Sequence, residues 1–466
     1  MDEKKLREEI LKDPLLQKMA VFAKAKDVRI FLVGGYIRDL LIGRKKGDYD
    51  FTFPKEISSK ISAVEEALGL RFFRIGREET GTVTYRVIKR DISIDLTPFQ
   101  GETIQDDLRR RDFTINAIAF SLQDGTFHSV EGAWDDVKNR IIRAVSNQSI
   151  DDDPLRSLRA VRYLSILRGF TIDPELEEEI ASKKGLVRKT PGERIKAEFD
   201  QILLSPRPEA GARSLHQLGL LGVLIPELEG LREIDQNGYH HLNVLSHTLL
   251  MIEKISWAFH WLEGRGHRVS LSEEELLSLY YAALFHDIGK TNTYTEDDRG
   301  RIHFYHHEDF SCRAAEGIMK RLRFPNSMKE RVLGVIKNHM RINNLLPDTK
   351  ETALKRLVNR IGDQTPLLVL HTLADKEASR GDLSIKKDEV VERHCLRILD
   401  LFNEKEIVHP PQLITGYDVM ALGYSAGPAV AEILNFIHGK QVEGEIRTRE
   451  EALEMLKKFF RLEVEI

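Results

Sequence analysis

The sequence predicts a multidomain α+β protein: a small mixed α/β head, an all-helical neck and body, a second helical domain rich in histidine, and a helical tail. Three observations predict it. The chain has 466 residues, more than a single hydrophobic core supports. Short runs of β-branched and aromatic residues are confined to the region between Val28 and Val145. From Asp151 onward, apolar residues recur at helical spacing almost throughout. The expected divisions are residues 1–145, 146–234, 235–405 and 406–466, with breaks at "DQNG" (235–238) and "VHPPQ" (408–412).

Composition narrows the class. The chain is 41% hydrophobic and 31% charged, as soluble globular proteins are. The opening "MDEKKLREEILKD" reads as a charged helix and not as a secretory signal, and no apolar run has the length of a bilayer span. The only cysteines, Cys312 and Cys395, provide neither a disulfide framework nor a cysteine zinc site, which suits a reducing cytoplasm. Net charge is −4, so any nucleic acid must be met by clustered basic residues.

In the head, "VRIFLVGG", "YDFTF", "TVTYRVI" and "DISIDLTPF" read as strands. Side chains alternate along a strand, so Asp48 and Asp50 are expected on one face, with Asp95 as a third carboxylate. Three converging carboxylates need a counter-charge, and magnesium, hard and oxygen-seeking, supplies one. Two such ions would bind a nucleoside triphosphate and activate a hydroxyl for in-line attack on the α-phosphate. Gly34 and Gly35, opening a helix, let backbone N–H groups approach phosphate oxygens, and Arg38 adds a charge-assisted contact. A lone pair of aspartates or of glycines usually marks only a turn; the ordered strand–helix–strand set is more specific.

"DDLRRRDFTINAIAF" (106–120) follows. With "GGYIRD", "DYD" and "DDPLRSLRAVRY" in this order, the chain resembles the bacterial class II tRNA nucleotidyltransferase (CCA-adding) and poly(A) polymerase family with a C-terminal HD domain. The resemblance implies a nucleotidyltransferase head with a DNA polymerase β-like palm. It implies that Asp48 and Asp50 hold catalytic magnesium with Asp95 as the third catalytic carboxylate. It makes Arg110, Arg111, Asp112 and Asn116 triphosphate and ribose contacts. Its base-reading motif falls on Asp152, Asp153 and Arg156, and Arg159 in the same block counts as nucleotide-binding; Asp152 stands where the family has glutamate. A carboxylate and a guanidinium match the amine and ring nitrogen shared by cytosine and adenine, and so reject uracil and guanine. Asp153, before Pro154, also suits a helix cap. Lys183, Lys184, Arg188, Lys189, Arg194 and Lys196, against the single acid Glu193 in that stretch, form a candidate phosphate-binding face for RNA.

The second chemistry lies further on. "HHLNVLSHTLLMI", "LFHDIGK", "YHHEDF", "NHM" and "LADKEASRGD" are similar to an HD-type phosphohydrolase region. The resemblance assigns His247, His286, Asp287 and Asp375 to a metal site, with His307 and His339 completing a second position; His240, His241 and His306 are left unassigned. Imidazole with carboxylate suits manganese, nickel or cobalt. The implied activity is hydrolysis of phosphomonoesters or 2′,3′-cyclic phosphodiesters.

The expected function is template-independent addition of nucleotides from CTP, or CTP and ATP, to the tRNA 3′ end, by a cytoplasmic monomer or homodimer. Family members that add only CC have a shortened loop before "RRDFTINA". Here "DLTPFQGETIQDDLRRRDF" leaves almost nothing between Asp95 and Arg110, so CC addition is favoured. Two alternatives compete: a poly(A) polymerase, against which "IGREETGTVTYRVI" speaks, and a phosphohydrolase whose head only binds RNA.

Overall fold

The computed structural model describes residues 3–44, 48–54, 60–76, 83–89, 92–234, 243–379 and 385–460. The "DQNG" break, His240 and His241 lie outside them, as do most residues of "IGREET". The chain forms two compact units, Met1–Leu224 and Ile225–Ile466. Among the described residues, no helix is long and apolar enough to cross a membrane.

The first unit opens with two helices, Glu3–Leu11 and Pro14–Ala25, and then builds a sheet of seven strands: β1 (Phe31–Val33), β2 (Tyr49–Phe53), β3 (Phe73–Ile75), β4 (Thr84–Lys89), β5 (Ile92–Pro98), β6 (Ile118–Ser121) and β7 (Phe127–Ser129), in the spatial order β3-β4-β5-β2-β1-β6-β7. Every pairing is antiparallel except β2 with β5. The four runs read as strands are strands. β3, β6 and β7 were not anticipated: β3 is short and exposed, and β6 lies inside a motif and is buried along its whole length.

One register decides the chemistry. Val33 pairs with Asp50, Asp50 with Asp95, and Asp95 with Arg86, so these side chains share one row on one face. The helix Ile104–Arg109 packs its Ile104 and Leu108 against Phe31, Val33 and Phe99, which carries the arginines that follow it to that row. Each such fully buried aliphatic side chain contributes about 1.5–3 kcal/mol.

Behind the sheet the unit is helical. The helix Arg156–Ile166 buries Leu158 and Val161. It meets the helix Pro208–Gln217 at Gly211, where a side chain would stand 3.3 Å from Ser165 and 2.4 Å from Ile202. In the second unit, helices Val244–Glu263, Glu273–Phe285, His307–Arg321, Asn326–Asn338 and Thr365–Ala378 pack as a bundle. The tail helices Gly416–Met420, Pro428–Glu443 and Arg449–Phe460 close a separate apolar cluster around Val419, Ile433, Ile437 and Leu456.

Candidate active sites

In the head, Asp50 lies on β2 beside Asp95 on β5, and Asp48 stands just before β2, exposed. Asp48 is therefore outside the strand, though close enough to act electrostatically on Asp50. Burial, the largest influence, raises the Asp50 pKa; Arg111 opposes it, while Asp95 and Asp48 add to it. Arg86 grips Asp95 with two parallel hydrogen bonds, Nε to Oδ1 at 2.7 Å and Nη2 to Oδ2 at 2.6 Å. Sequence reasoning missed Arg86, although the alternation in "TVTYRVI" could have placed it opposite a carboxylate.

Gly34 has φ +76° and ψ −139°, a conformation closed to other residues. A Cβ there would sit 3.1 Å from Asp50 Oδ2 and 3.4 Å from Arg111 Nη1. The glycine thus lets the chain turn against both charged groups. Beside it lies a cleft of about 280 Å³ lined by Asp50, Thr52, Thr97, Gln100, Arg110 and Arg111, among others. Arg111 is oriented by Asp107 at 3.1 Å, a second residue the sequence reading passed over.

Arg38 is not in that cleft. It is buried, donates to Asn116 Oδ1 at 2.6 Å and to Asp39 at 2.9 Å, and lies over the Tyr163 ring. Asn116 in turn donates to Asp112 at 3.0 Å. Burial pushes Asp112 upward most strongly, but Arg159 at 2.7 Å, Asn116 and the Phe113 N–H together outweigh it and hold the carboxyl below its ordinary value. These four residues form one buried network behind the cleft.

Arg156 connects head and neck, donating to Arg110 O at 2.7 Å and Ser149 Oγ at 3.0 Å. Asp153 sits between the helices Ser149–Asp152 and Arg156–Ile166. Its Oδ1 accepts from Leu155 N and its Oδ2 from Arg194; the helix starts two residues later than the sequence suggested, with Leu155 at its N-cap and no side-chain cap. Asp152 is exposed.

In the second unit, His286 and Asp287 follow the helix Glu273–Phe285, His307 opens the helix His307–Arg321, and His339 follows Asn326–Asn338. His247 and Asp375 come from two further helices. The side chains converge as two triads, His247–His286–Asp375 and Asp287–His307–His339. Asp287 reaches both, with Oδ2 at 3.1 Å from His286 Nε2 and Oδ1 at 3.3 Å from His307 Nε2. Gly289 makes this possible: a Cβ there would collide with His307 O at 2.2 Å.

The histidines are pre-set. Nδ1 of His286, His307 and His339 faces the carbonyls of Ala283, Phe304 and Ile336 at 2.9, 2.9 and 2.6 Å. A carbonyl only accepts, so each Nδ1 carries the proton and each Nε2 faces the centre. Burial pushes His339 down to about 3, helped by His286 and His307. Burial also opposes charge on Asp375, yet the His247 hydrogen bond and the surrounding imidazoles hold it well below the usual carboxylate range. Asp287 is likewise held well below that range by His286 and Lys290 against the pull of burial. His307 Nε2 and His339 Nε2 are 3.0 Å apart, lone pair toward lone pair unless a cation or proton lies between them. Imidazole Nε2 atoms converging beside ionised carboxylates form a donor set suited to a divalent metal. Lys290, whose Nζ is 2.7 Å from Asp287, was missed, though it lies one turn after the His-Asp pair.

Comparison with known proteins identifies the domains that carry these residues. Residues 30–143 match the poly A polymerase head domain, 169–231 the probable RNA and SrmB-binding site of polymerase A, and 237–378 the HD domain. The CC-adding tRNA nucleotidyltransferase of Thermus thermophilus is 34% identical over 91% of this chain and 92% of its own length. The chain belongs to the tRNA nucleotidyltransferase family. The A-adding tRNA nucleotidyltransferase of Deinococcus radiodurans is 33% identical over 90% of this chain and 93% of its own. Two solved structures share the fold: a CCA-adding enzyme in an apo form (TM-score 0.67, 22% identity, 100% of this chain and 99% of that one) and the Thermotoga maritima CCA-adding enzyme with tRNA (0.62, 21%, 98% of each).

The head and HD domains of this family are metal-dependent. The basic segment 183–196 is only partly free of acids. Lys183 pairs with Asp151 at 2.5 Å and Glu179 at 2.9 Å, Arg194 with Asp153 at 3.2 Å, and Lys196 with Asp200 at 2.6 Å. The single-acid reading of that segment overlooked partners arriving from elsewhere in the chain. Lys184, Arg188 and Lys189 share the 3-10 turn Lys184–Lys189, where Arg188 Nε donates to Val223 O at 3.4 Å.

Proposed function

We propose that this chain adds cytidines from CTP to the tRNA 3′ end without a nucleic-acid template and stops before the terminal adenosine. The supporting observation is the link between β5 and the helix Ile104–Arg109. Only Phe99 to Thr103 join them, and the link is tied down: Phe99 N donates to Phe53 O at 2.7 Å, Gln100 N to Asp107 at 3.1 Å, and Thr103 and Asp106 form a capping box. Changing from cytosine to adenine requires the base readers to rearrange, and rearrangements draw on loosely held segments. This link is not such a segment. The relatives that add CC and A are almost equally similar, so identity does not favour either.

In this reading Asp48 and Asp50 hold magnesium with Asp95 as the third catalytic carboxylate, and the fit rests on Asp50 standing beside Asp95 in one row with Asp48 close enough to act on it. When bound, magnesium lowers the pKa of the attacking hydroxyl and neutralises phosphate charge. Gly34 and Gly35 admit the triphosphate to the cleft, and Arg110 and Arg111 line it. Asp112, Asn116 and Arg159 hold the block from behind. Arg156, with Asp153 and Asp152, reads the base. Lys184, Arg188 and Lys189 meet the RNA backbone, with Lys183, Arg194 and Lys196 contributing once their acid partners are displaced.

The HD region is a second enzyme, hydrolysing phosphomonoesters or 2′,3′-cyclic phosphodiesters with manganese, nickel or cobalt. The parts then run 1–145 (catalysis), 146–234 (base and RNA recognition), 235–405 (hydrolysis) and 406–466 (tail).

The test supplies tRNA transcripts ending before C, after C and after CC with each nucleotide separately, and sequences the products. Addition that ends at CC is expected. Efficient conversion of CC to CCA refutes the restriction, and long A tails on unrelated RNA would favour a polymerase.

A further inference from the structure

His371 is a buried side chain of the HD bundle that neither triad includes. It lies on the helix Thr365–Ala378, one turn before Asp375, and is 0% exposed. Neither of its ring nitrogens has a hydrogen-bond partner. An orphaned buried polar group costs on the order of 1–3 kcal/mol, which a leucine in the run "PLLVLHTLAD" would avoid. His286, His307 and His339, at helix ends, are each anchored through Nδ1 to a carbonyl; His371, in the middle of its helix, has no such anchor and no solvent.

Its ring centre lies 5.0 Å from that of His286, at 80°, and 5.9 Å from that of His339. Two imidazoles on one ion at metal–nitrogen distances of about 2.1 Å, with angles between octahedral and tetrahedral, have ring centres roughly 4.6–5.3 Å apart. The converging pair His307–His339 stands at 5.0 Å and the pair His247–His286 at 5.6 Å. His371 therefore belongs to the same imidazole cluster, in which His286 and His339, of different triads, also stand 5.3 Å apart.

We propose that His371 is a further metal ligand, so that His247, His286, His371 and Asp375 form one nitrogen-rich position and Asp287, His307 and His339 a poorer one. This rests on the HD region being a metal centre. Three imidazoles and one carboxylate select nickel, cobalt or zinc over magnesium. The second position, with fewer protein donors, keeps room for water and substrate as catalytic sites do.

The full-length protein, stripped of metal, is titrated with Co²⁺ alone. Calorimetry gives stoichiometry and affinity, and X-ray absorption gives the nitrogen count. The wild type is expected to take up two ions with unequal affinity. His371→Leu and His371→Asn should both weaken the tighter site by about 10–100-fold and remove one nitrogen. The metal-free Leu variant should melt no lower than the wild type, because an unpaired polar group has gone. Unchanged affinity and nitrogen count in the variants overturn the proposal while leaving the metal centre intact. So does a loss of affinity that appears only with a fall in metal-free melting temperature in both variants, which marks a core residue. A wild type that takes up no Co²⁺ overturns the metal centre itself, and the proposal with it.

Discussion

Asp50 shows how one residue can serve catalysis at the expense of the fold. Burial and neighbouring carboxylates raise its pKa against the pull of Arg111. An unfolded aspartate ionises near about pH 3.9, so above that value the unfolded chain has released a proton that folding makes harder to release. Stability is then lost as pH rises through this window and stays lost at pH 7. Asp50→Asn should raise the melting temperature at pH 7, with the gain vanishing below about pH 3.9, while nucleotide addition falls by at least about 10³-fold. Melting curves against pH check the first part, and a lower melting point at pH 7 would remove the electrostatic account. Asp48→Ala, at an exposed position, should lose addition without the stability gain. Gly34→Ala places a methyl 3.1 Å from Asp50 Oδ2 at φ +76°; strain of about 1–3 kcal/mol and loss of addition are expected, and an active variant of unchanged stability contradicts the close approach. Residues of this kind were legible because their chemistry is uncommon. Arg86 and Asp107 were not, since an arginine in a strand or an aspartate in a helix reads as a solvated charge until the register places it opposite a partner.

Among the elements, strands inside longer β-branched or aromatic runs were readable, the three-residue β1 included, whereas β3 and β7, equally short, have no such run around them. The basic neck was readable as a cluster but not as a surface, because Asp151 and Asp153 approach it from a different element. The turn before the helix Arg156–Ile166 carries the base-reading assignment. Arg156 is anchored at Ser149 and Arg110, which fixes its guanidinium plane. Arg156→Ala should flatten the preference for C and A over U and G, by the about 1–3 kcal/mol that a bidentate base contact supplies. Competition assays with all four nucleotides measure it; equal loss for every base would make Arg156 a tie between head and neck only.

For the whole molecule, each unit carries its own chemistry. His286→Ala combined with Asp287→Ala should remove metal-dependent phosphohydrolysis and leave nucleotide addition within about two-fold, since the two sites belong to separate compact units and share no partners. A parallel fall in both activities would mean that the units depend on one another. The order of the parts and both donor sets could be read from motifs, because spacing along the chain survives without coordinates. His371 could not: a lone histidine among leucines reads as core, and only the convergence of five helices shows what surrounds it.

The pairing of β2 with β5 carries a consequence for the life of the chain. A helix and two strands separate them in sequence, yet their register sets Asp50 beside Asp95. β3, β4 and β5 can form as a local meander, but the β2–β5 seam joins distant segments and must close a long loop, a slow event in folding. A nascent or refolding head can therefore hold most of its hydrogen bonds while its two carboxylates are still apart. Competence to extend RNA arrives only when this seam closes, and copies in which it is still open are silent.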